Sequence, residues 1–189
     1  MVRRLIKSKN ALAAPIGNLI IILAAVILTT TVVLFATNVT TSQLQKEKMY
    51  IITSHVWYVN SNSSIAGVAI CNTGPSDIVL TQLNVKGLQC QWNGTSNYVL
   101  YCKINGTLPG DLSLVTNLTN SGTNTIPIAG IPCAFDVAGE GLTIKSGMTI
   151  AFYTVIPDRI MIYDLATPVR IVITTTQAVY CTETLVQTA

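Results

Sequence analysis

The sequence predicts an α+β protein in which a long N-terminal hydrophobic α-helix precedes an antiparallel β-sandwich. Residues 11–37 form one apolar run, with no charged residue between positions 10 and 45. From position 50 onward, short β-branched and aromatic segments alternate with turn residues. Because 189 residues leave room for one ordinary domain after the helix, we expect a basic leader (1–11), a helix (12–48) and a β-domain (49–189).

The leader and the apolar run predict a membrane stage. Arg3, Arg4, Lys7 and Lys9 precede the run, which exceeds the roughly 20 apolar residues that a helix needs to cross a bilayer. This charge asymmetry places the N-terminus in the cytoplasm and the β-domain outside. A secretory signal has only about 7–15 apolar residues, so ordinary signal cleavage after Ala36 is disfavoured.

Pro15 indicates where the helix begins. A proline in the first turn loses no hydrogen bond, whereas one inside a helix costs about 3 kcal/mol, so we expect a start at 13–15. The helix is apolar on every face, which is typical of surroundings made of lipid or of other helices. We expect it to continue to about Lys48, since 37–48 contain no Gly or Pro. The candidate core residues are Pro15, Ile20, Ile21, Ile22, Leu23, Val26, Ile27, Leu28 and Leu34.

The β-domain is predicted from its strand and turn signals. Asn-Thr-Gly-Pro at 72–75, Lys-Gly at 86–87 and Asn-Gly at 93–94 are turn sequences between β-branched runs. The predicted strands are 50–59, 65–71, 78–85, 88–92, 98–103, 125–131, 142–144, 149–156, 161–164, 169–175 and 178–183.

Five cysteines follow the apolar run: Cys71, Cys90, Cys102, Cys133 and Cys181. In an oxidising exterior, two disulfides and one remaining thiol are expected. Cys90 and Cys102 flank a predicted hairpin with Asn93-Gly94 at its turn, so we expect these two to pair. A zinc site is disfavoured, because no C-x-x-C occurs and His55 is the only histidine.

Composition argues against an enzyme and against a nucleic-acid partner. Only 10% of residues are charged, and four of the eleven cations precede Ala11, which leaves no basic patch. The motifs G-x-S-x-G, H-E-x-x-H and the Walker loop are absent from the sequence. His55, between strand residues, is interpreted as structural. An exported enzyme is therefore only the third hypothesis, and neither a cofactor nor a metal is expected.

Five Asn-x-Ser/Thr sequons predict N-linked glycans. Four of them fall in turns or loops of the predicted exterior domain. Glycans there would supply the solvation that the few charged side chains do not. The five acceptors are Asn38, Asn62, Asn93, Asn105 and Asn117.

Residues 9–17, KNALAAPIG, together with the apolar run after them, resemble the N-terminus of archaeal type IV pilins and related archaellins. In that family a prepilin peptidase on the cytoplasmic face removes a short basic leader. The resemblance implies that Lys9 belongs to the recognition stretch, that Ala11 precedes the cut and that Leu12 becomes the mature N-terminus. Residues 72–80 and 169–175 also resemble the family, whose exterior domain is immunoglobulin-like.

The resemblance implies a structural filament subunit with a role in surface adhesion. The precursor would rest in the cytoplasmic membrane until an assembly ATPase and platform extract the helix. The helices would then bundle into the core of an extracellular homopolymer. An archaellin, whose filament rotates for motility, is the alternative within this class. A single-pass anchored binding ectodomain is the alternative outside it.

Overall fold

The computed structural model describes residues 9–44, 46–120, 124–157 and 160–189. The chain divides into two compact units, with the boundary between Gln45 and Lys46. One helix forms the described part of the first unit, and a β-domain forms the second. The predicted α+β class with an N-terminal helix is therefore confirmed.

Helix α1 spans Lys9–Leu44. It begins before the predicted start at 13–15, so Pro15 lies inside the helix and not at its first position. The predicted extension to Lys48 is wrong, because residues 46–48 are not helical. The backbone N–H groups of Thr73 and Gly74 both donate to the carbonyl of Lys48 at 2.9 Å, which fixes this residue as the lead-in to the β-domain.

The β-domain contains eleven strands and a 3₁₀ turn at Ile162–Asp164. The strands are β1 (Met49–Asn60), β2 (Ser63–Asn72), β3 (Ile78–Val85), β4 (Leu88–Gln89), β5 (Tyr98–Ile104), β6 (Asn124–Ile128), β7 (Ile131–Val137), β8 (Thr143–Ile144), β9 (Thr149–Val155), β10 (Pro168–Thr175) and β11 (Val179–Thr188).

These strands form one large, mostly antiparallel sheet. Its order is β4-β3-β10-β11-β1-β2-β9-β5-β7-β6, and β8 pairs with β3. The one parallel pairing among the described strands joins β1 to β11 over three residues, Val56–Tyr58 with Val186–Thr188. The predicted antiparallel β-domain is confirmed at this level. Its immunoglobulin-like identity stays a prediction.

The central strands are buried on both faces, which creates two separate cores. In β2, Val68 and Ile70 belong to the first core, whereas Ile65 and Ala69 belong to the second. This alternation follows from the two-residue period of a strand. Strands β3 and β10 complete the first core with alternate residues such as Leu80 and Ile171.

The second core is completed by a segment without regular secondary structure and by β7. We call residues 105–120 the covering segment. Its apolar residues at regular intervals all belong to the second core, as do Cys133 and Phe135 of β7. The apolar residues of the covering segment that are buried are Leu108, Leu112, Val115 and Leu118.

Several regions differ from the predicted strands. The single strand expected at 125–131 is instead a hairpin, β6 and β7, that turns at Ala129 and Gly130 with φ of 48° and 84°. Residues 161–164, expected as a strand, contain the 3₁₀ turn, where the Asp164 carboxylate accepts the Met161 N–H at 2.8 Å. In addition, the strand expected at 88–92 ends at Gln89.

Candidate functional site

The apolar helix surface is the most prominent candidate site. Among the described residues, one helix is long and apolar enough to cross a membrane, and it covers Pro15–Gln43. Every described side chain from 18 to 43 is exposed. The predicted core residues from Ile20 to Leu34 have exposed fractions between 56% and 67%. Burying such a side chain is worth about 1.5–3 kcal/mol, so contact of this surface with an apolar environment would be favourable.

The threonine hydroxyls of α1 are satisfied within the helix. The hydroxyls of Thr29, Thr30 and Thr31 donate to the carbonyls four residues earlier, each at 2.8 Å. Thr40 donates in the same way to Ala36 at 2.8 Å. Since each hydroxyl has an internal acceptor, these threonines add little cost to placing the helix in lipid or among other helices.

Lys9, Ala11 and Leu12, the predicted processing residues, lie at the beginning of α1, where the described backbone is helical. Residues 1–8 of the predicted leader lie outside the described residues. Pro15 affects Ala11, the residue before the predicted cut. A proline inside a helix has no N–H to donate to the carbonyl four residues earlier, which here is the carbonyl of Ala11.

The five sequon asparagines are all exposed, but in different settings. Asn38 lies on α1, and Asn62 lies in the turn between β1 and β2. Asn105 and Asn117 lie on the covering segment, and Asn93 lies just before β5. The asparagine side chain is exposed at all five positions, and glycosylation there stays a prediction.

Cys90 and Cys102, which the sequence predicts to form a disulfide, lie in different cores on opposite faces of the sheet. The hairpin itself exists, since Asn93 pairs with Tyr98 and the Val99 N–H donates to the Trp92 carbonyl at 3.1 Å. Extending that register places Cys90 opposite Tyr101 and not opposite Cys102. A one-residue offset turns the two side chains to opposite faces, so Cys90 belongs to the first core and Cys102 to the second.

A polar cluster joins β1 to the covering segment. His55 Nε2 lies 2.8 Å from Asp111 Oδ1, and Thr53 donates its hydroxyl hydrogen to the same oxygen. The Leu112 N–H donates to it as well, at 2.9 Å. The Thr53 hydrogen bond is the largest cause that lowers the pKa of Asp111, and His55 and Leu112 lower it further.

This cluster is not arranged for nucleophilic catalysis. In a catalytic triad the histidine stands between the hydroxyl and the carboxylate and uses its two ring nitrogens separately. Here Thr53 and His55 Nε2 contact the same carboxylate oxygen, and the buried His55 Nδ1 has no hydrogen-bond partner. Within the described ranges, no three His, Cys, Asp or Glu side chains are grouped so that they could hold a metal ion.

Two tyrosines hold the covering segment over the second core. The Tyr153 hydroxyl donates to the Ser113 carbonyl at 2.8 Å, and the Tyr98 hydroxyl donates to the Leu118 carbonyl at 2.9 Å. Burial raises the pKa of both phenols. Tyr153 also stacks parallel to Trp57 at 6.3 Å and meets Phe135 edge-on at 5.5 Å. The segment is therefore fixed by hydrogen bonds in addition to its apolar residues.

The sequence matches no known protein-family model and has no significant match among curated proteins. The class that the structure defines is an α+β protein with one long, apolar N-terminal helix and a large, mostly antiparallel β-domain.

Proposed function

We propose that this chain is the structural subunit of an archaeal type IV pilus-like extracellular filament that serves surface adhesion. One observation carries the proposal: α1 is apolar on every face and none of its most apolar stretch is buried. A helix of this kind is stable in lipid and also among copies of itself. The β-domain, which we propose to be an immunoglobulin-like sandwich, would form the outer surface of the filament.

The composition of α1 suits a bundle of helices. Gly17 has no neighbouring atom within 4 Å of the position where a Cβ would lie, so its missing side chain serves no contact within the chain. In helix bundles formed in membranes, small residues let backbones approach closely. Because lipid tails are as apolar as the helix, burial alone hardly favours leaving the membrane, and an assembly ATPase with its platform would supply the work.

Processing between Ala11 and Leu12 is supported by Pro15. In the uncut helix, Pro15 leaves the carbonyl of Ala11 without its normal donor and places the proline ring against it. A cut after Ala11 removes that carbonyl and leaves Pro15 in the first turn of the mature helix, where proline is well tolerated. The prepilin peptidase would recognise the basic stretch that includes Lys9.

The location of the chain and its glycosylation follow from this role. The precursor would lie in the cytoplasmic membrane, and the mature subunit would lie on the cell surface, where N-linked glycans would solvate a domain with few charges. We assign no enzymatic activity, no metal or other cofactor and no nucleic-acid partner to the chain.

The mature N-terminus tests the proposal directly. Mass spectrometry of the protein sheared from cells should identify Leu12 as the first residue, and electron microscopy should show that the filaments disappear when the gene is deleted. Filaments that persist unchanged in the deletion strain would exclude a role as major subunit. A motility assay on the same strain separates an adhesive pilus from an archaellum.

A second candidate function is a single-pass anchored ectodomain, which the span Pro15–Gln43 also supports. In that case the chain would keep Met1, remain in the membrane fraction and show no filament. The same N-terminal measurement therefore distinguishes the two candidates.

A further inference from the structure

We infer that Cys102 and Cys133 form a disulfide bond when the β-domain folds in oxidising surroundings. The chain meets such surroundings in the cell only if it has the exterior location of the proposed function. The choice of Cys102 and Cys133 as partners depends on the fold alone. The bond would join β5 to β7 and replace the Cys90–Cys102 pairing that the sequence predicts.

The two cysteines lie on the same face of neighbouring strands. Tyr101 of β5 pairs with Asp136 of β7, and continuing this antiparallel register places Cys102 opposite Phe135. Cys133 lies two residues beyond Phe135 and therefore shares its face. Both cysteines belong to the second core, and Cys133 is one of the groups that raise the pKa of the Cys102 thiol. The two side chains therefore enter the same core from neighbouring strands, where a bond of about 2.05 Å can join their sulfur atoms.

The other cysteines cannot compete for this partner. The structure describes all five, and only Cys102 and Cys133 are members of the second core. Cys90 is buried in the first core, on the other face of the sheet. Cys181 is exposed on β11, and Cys71 is half-buried in β2. The fold therefore selects one pair.

The bond must form before the second core closes. Cys102 and Cys133 are 1% and 2% exposed in the finished fold, so an oxidant cannot reach them there. Burial raises the pKa of the Cys102 thiol, and the neighbouring Cys133 side chain raises it further. Since the thiolate is the reactive form, the folded pair is inert, and oxidation belongs to the folding of the domain.

The chemistry is thiol–disulfide exchange with a disulfide oxidant, either glutathione disulfide or a protein disulfide. One cysteine thiolate attacks a sulfur of the oxidant, forms a mixed disulfide and releases one oxidant thiolate. The second cysteine thiolate then attacks the mixed disulfide at the cysteine sulfur and releases the other. Two electrons pass to the oxidant, whose two sulfurs take up the two protons that the cysteines lost.

The position of the bond gives it a specific structural role. The covering segment lies entirely within the loop that Cys102 and Cys133 would close. The bond would therefore join β5, which precedes the covering segment, to β7 of the hairpin that follows it. Asn105 and Asn117, the two sequon asparagines of the covering segment, would be carried on this closed loop.

Refolding of the full chain in detergent micelles tests the pairing. The protein is reduced, unfolded and refolded in a mixture of oxidised and reduced glutathione, then quenched with acid and alkylated with N-ethylmaleimide. Peptide mapping without reduction should find Cys102 linked to Cys133 in most chains, with alkylation lost at both. The matched variant Cys90→Ser should keep the linked peptide, whereas Cys102→Ser and Cys133→Ser should each lose it.

Full alkylation of both thiols in refolded wild-type protein would overturn the proposal, provided its circular dichroism shows the β-rich fold. A link between Cys102 and Cys90 would overturn it as well. The same mapping on protein sheared from cells tests the location separately. A pair that forms on refolding but is reduced in the cellular protein supports the pairing and contradicts the exterior location on which the proposed function depends.

Discussion

His55 on β1 and Asp111 on the covering segment approach to 2.8 Å, and this contact joins a strand to a segment 56 residues away. The Asp111 carboxylate receives the Thr53 hydroxyl, the Leu112 N–H and the His55 ring at one oxygen. The apolar residues of the covering segment then continue over the second core. Asp111 is therefore the polar attachment of this segment to β1.

The first prediction concerns the pH dependence of this attachment. The pKa of Asp111 is lowered in the folded state relative to about 3.9 in the unfolded chain. Its ionised form therefore contributes stability that is fully present above about pH 4 and is lost as pH falls through the lowered pKa. Because the side chain is 63% exposed, we expect the Asp111→Asn variant to lose less than about 1 kcal/mol at neutral pH.

Urea unfolding of wild type and Asp111→Asn across an acidic pH series measures this effect. The difference in unfolding free energy should shrink as the pH is lowered. Glu140→Gln, at an exposed position, is the matched control and should show no such difference. A difference that stays constant to the lowest pH would show that the Asp111 carboxylate acts through packing and not through its charge.

The second prediction concerns Gly67, which lies in β2 between His55 of β1 and Tyr153 of β9. A Cβ at this position would lie 3.1 Å from Trp57 Cζ3 and 3.3 Å from Leu112 Cδ1. Overpacking of a close-packed core costs about 1–3 kcal/mol, so Gly67→Ala should lower the unfolding free energy by that amount. Near-ultraviolet circular dichroism should also change as Trp57 shifts.

Gly139→Ala is the control for this measurement, because a Cβ at Gly139 would meet no atom within 4 Å. Its unfolding free energy should stay within about 0.5 kcal/mol of wild type. Equal destabilisation of the two variants would indicate a general backbone effect and contradict the packing argument at Trp57.

The elements that the sequence predicts well are those in which local pattern and final environment agree. The strand Ile78–Val85 is predicted with both ends correct, since its apolar and β-branched residues lie between the turn sequences at 72–75 and 86–87. The long helix follows directly from its composition. The β6–β7 hairpin was missed because Ile131-Pro132 reads as the end of a strand, although Ala129 and Gly130 at positive φ already form the turn.

The contacts of the candidate sites depend on register and on distant pairing, which local patterns do not contain. Cys90 and Cys102 flank a real hairpin, yet an offset of one residue separates them onto opposite faces. Asp111 lies in a segment without regular secondary structure, so nothing local connects it to His55. The apolar residues of the covering segment, spaced three or four apart, are the signal that could have identified it as a buried cover.

The third prediction concerns the stability that the Cys102–Cys133 bond adds. Closing a loop of roughly 30 residues lowers the entropy of the unfolded chain and should stabilise the fold by about 3–4 kcal/mol. Wild-type protein refolded with glutathione should therefore unfold at a higher urea concentration than the same protein kept reduced. The Cys102→Ser variant should show no dependence on the redox buffer, and an unchanged wild-type midpoint would show that the bond adds nothing.

The fourth prediction ranks two sequons by the environment of their hydroxyl residue. In 62–64 the third residue, Ser64, is buried in β2 with its Oγ 3.4 Å from the Pro157 carbonyl. In 105–107 both Asn105 and Thr107 are exposed, outside any strand. A modifying enzyme that acts on the folded domain can reach only the second site. Glycopeptide mass spectrometry should find higher occupancy at Asn105 than at Asn62, and the reverse order would imply modification before folding.

The last prediction separates helix packing between subunits from membrane insertion. Gly17→Leu keeps α1 apolar and improves its helix propensity by about 0.8 kcal/mol, so the subunit should still insert and be processed. Apart from the adjoining residues and the backbone of α1 itself, no described atom lies within 4 Å of a Cβ at this position, so we expect the new side chain to clash only with a neighbouring subunit. We expect normal amounts of subunit in the membrane and several-fold fewer filaments by electron microscopy.

Ile20→Leu, which conserves side-chain volume on the same helix, is the control and should assemble normally. Wild-type filament numbers in Gly17→Leu would rule out close helix packing at this residue.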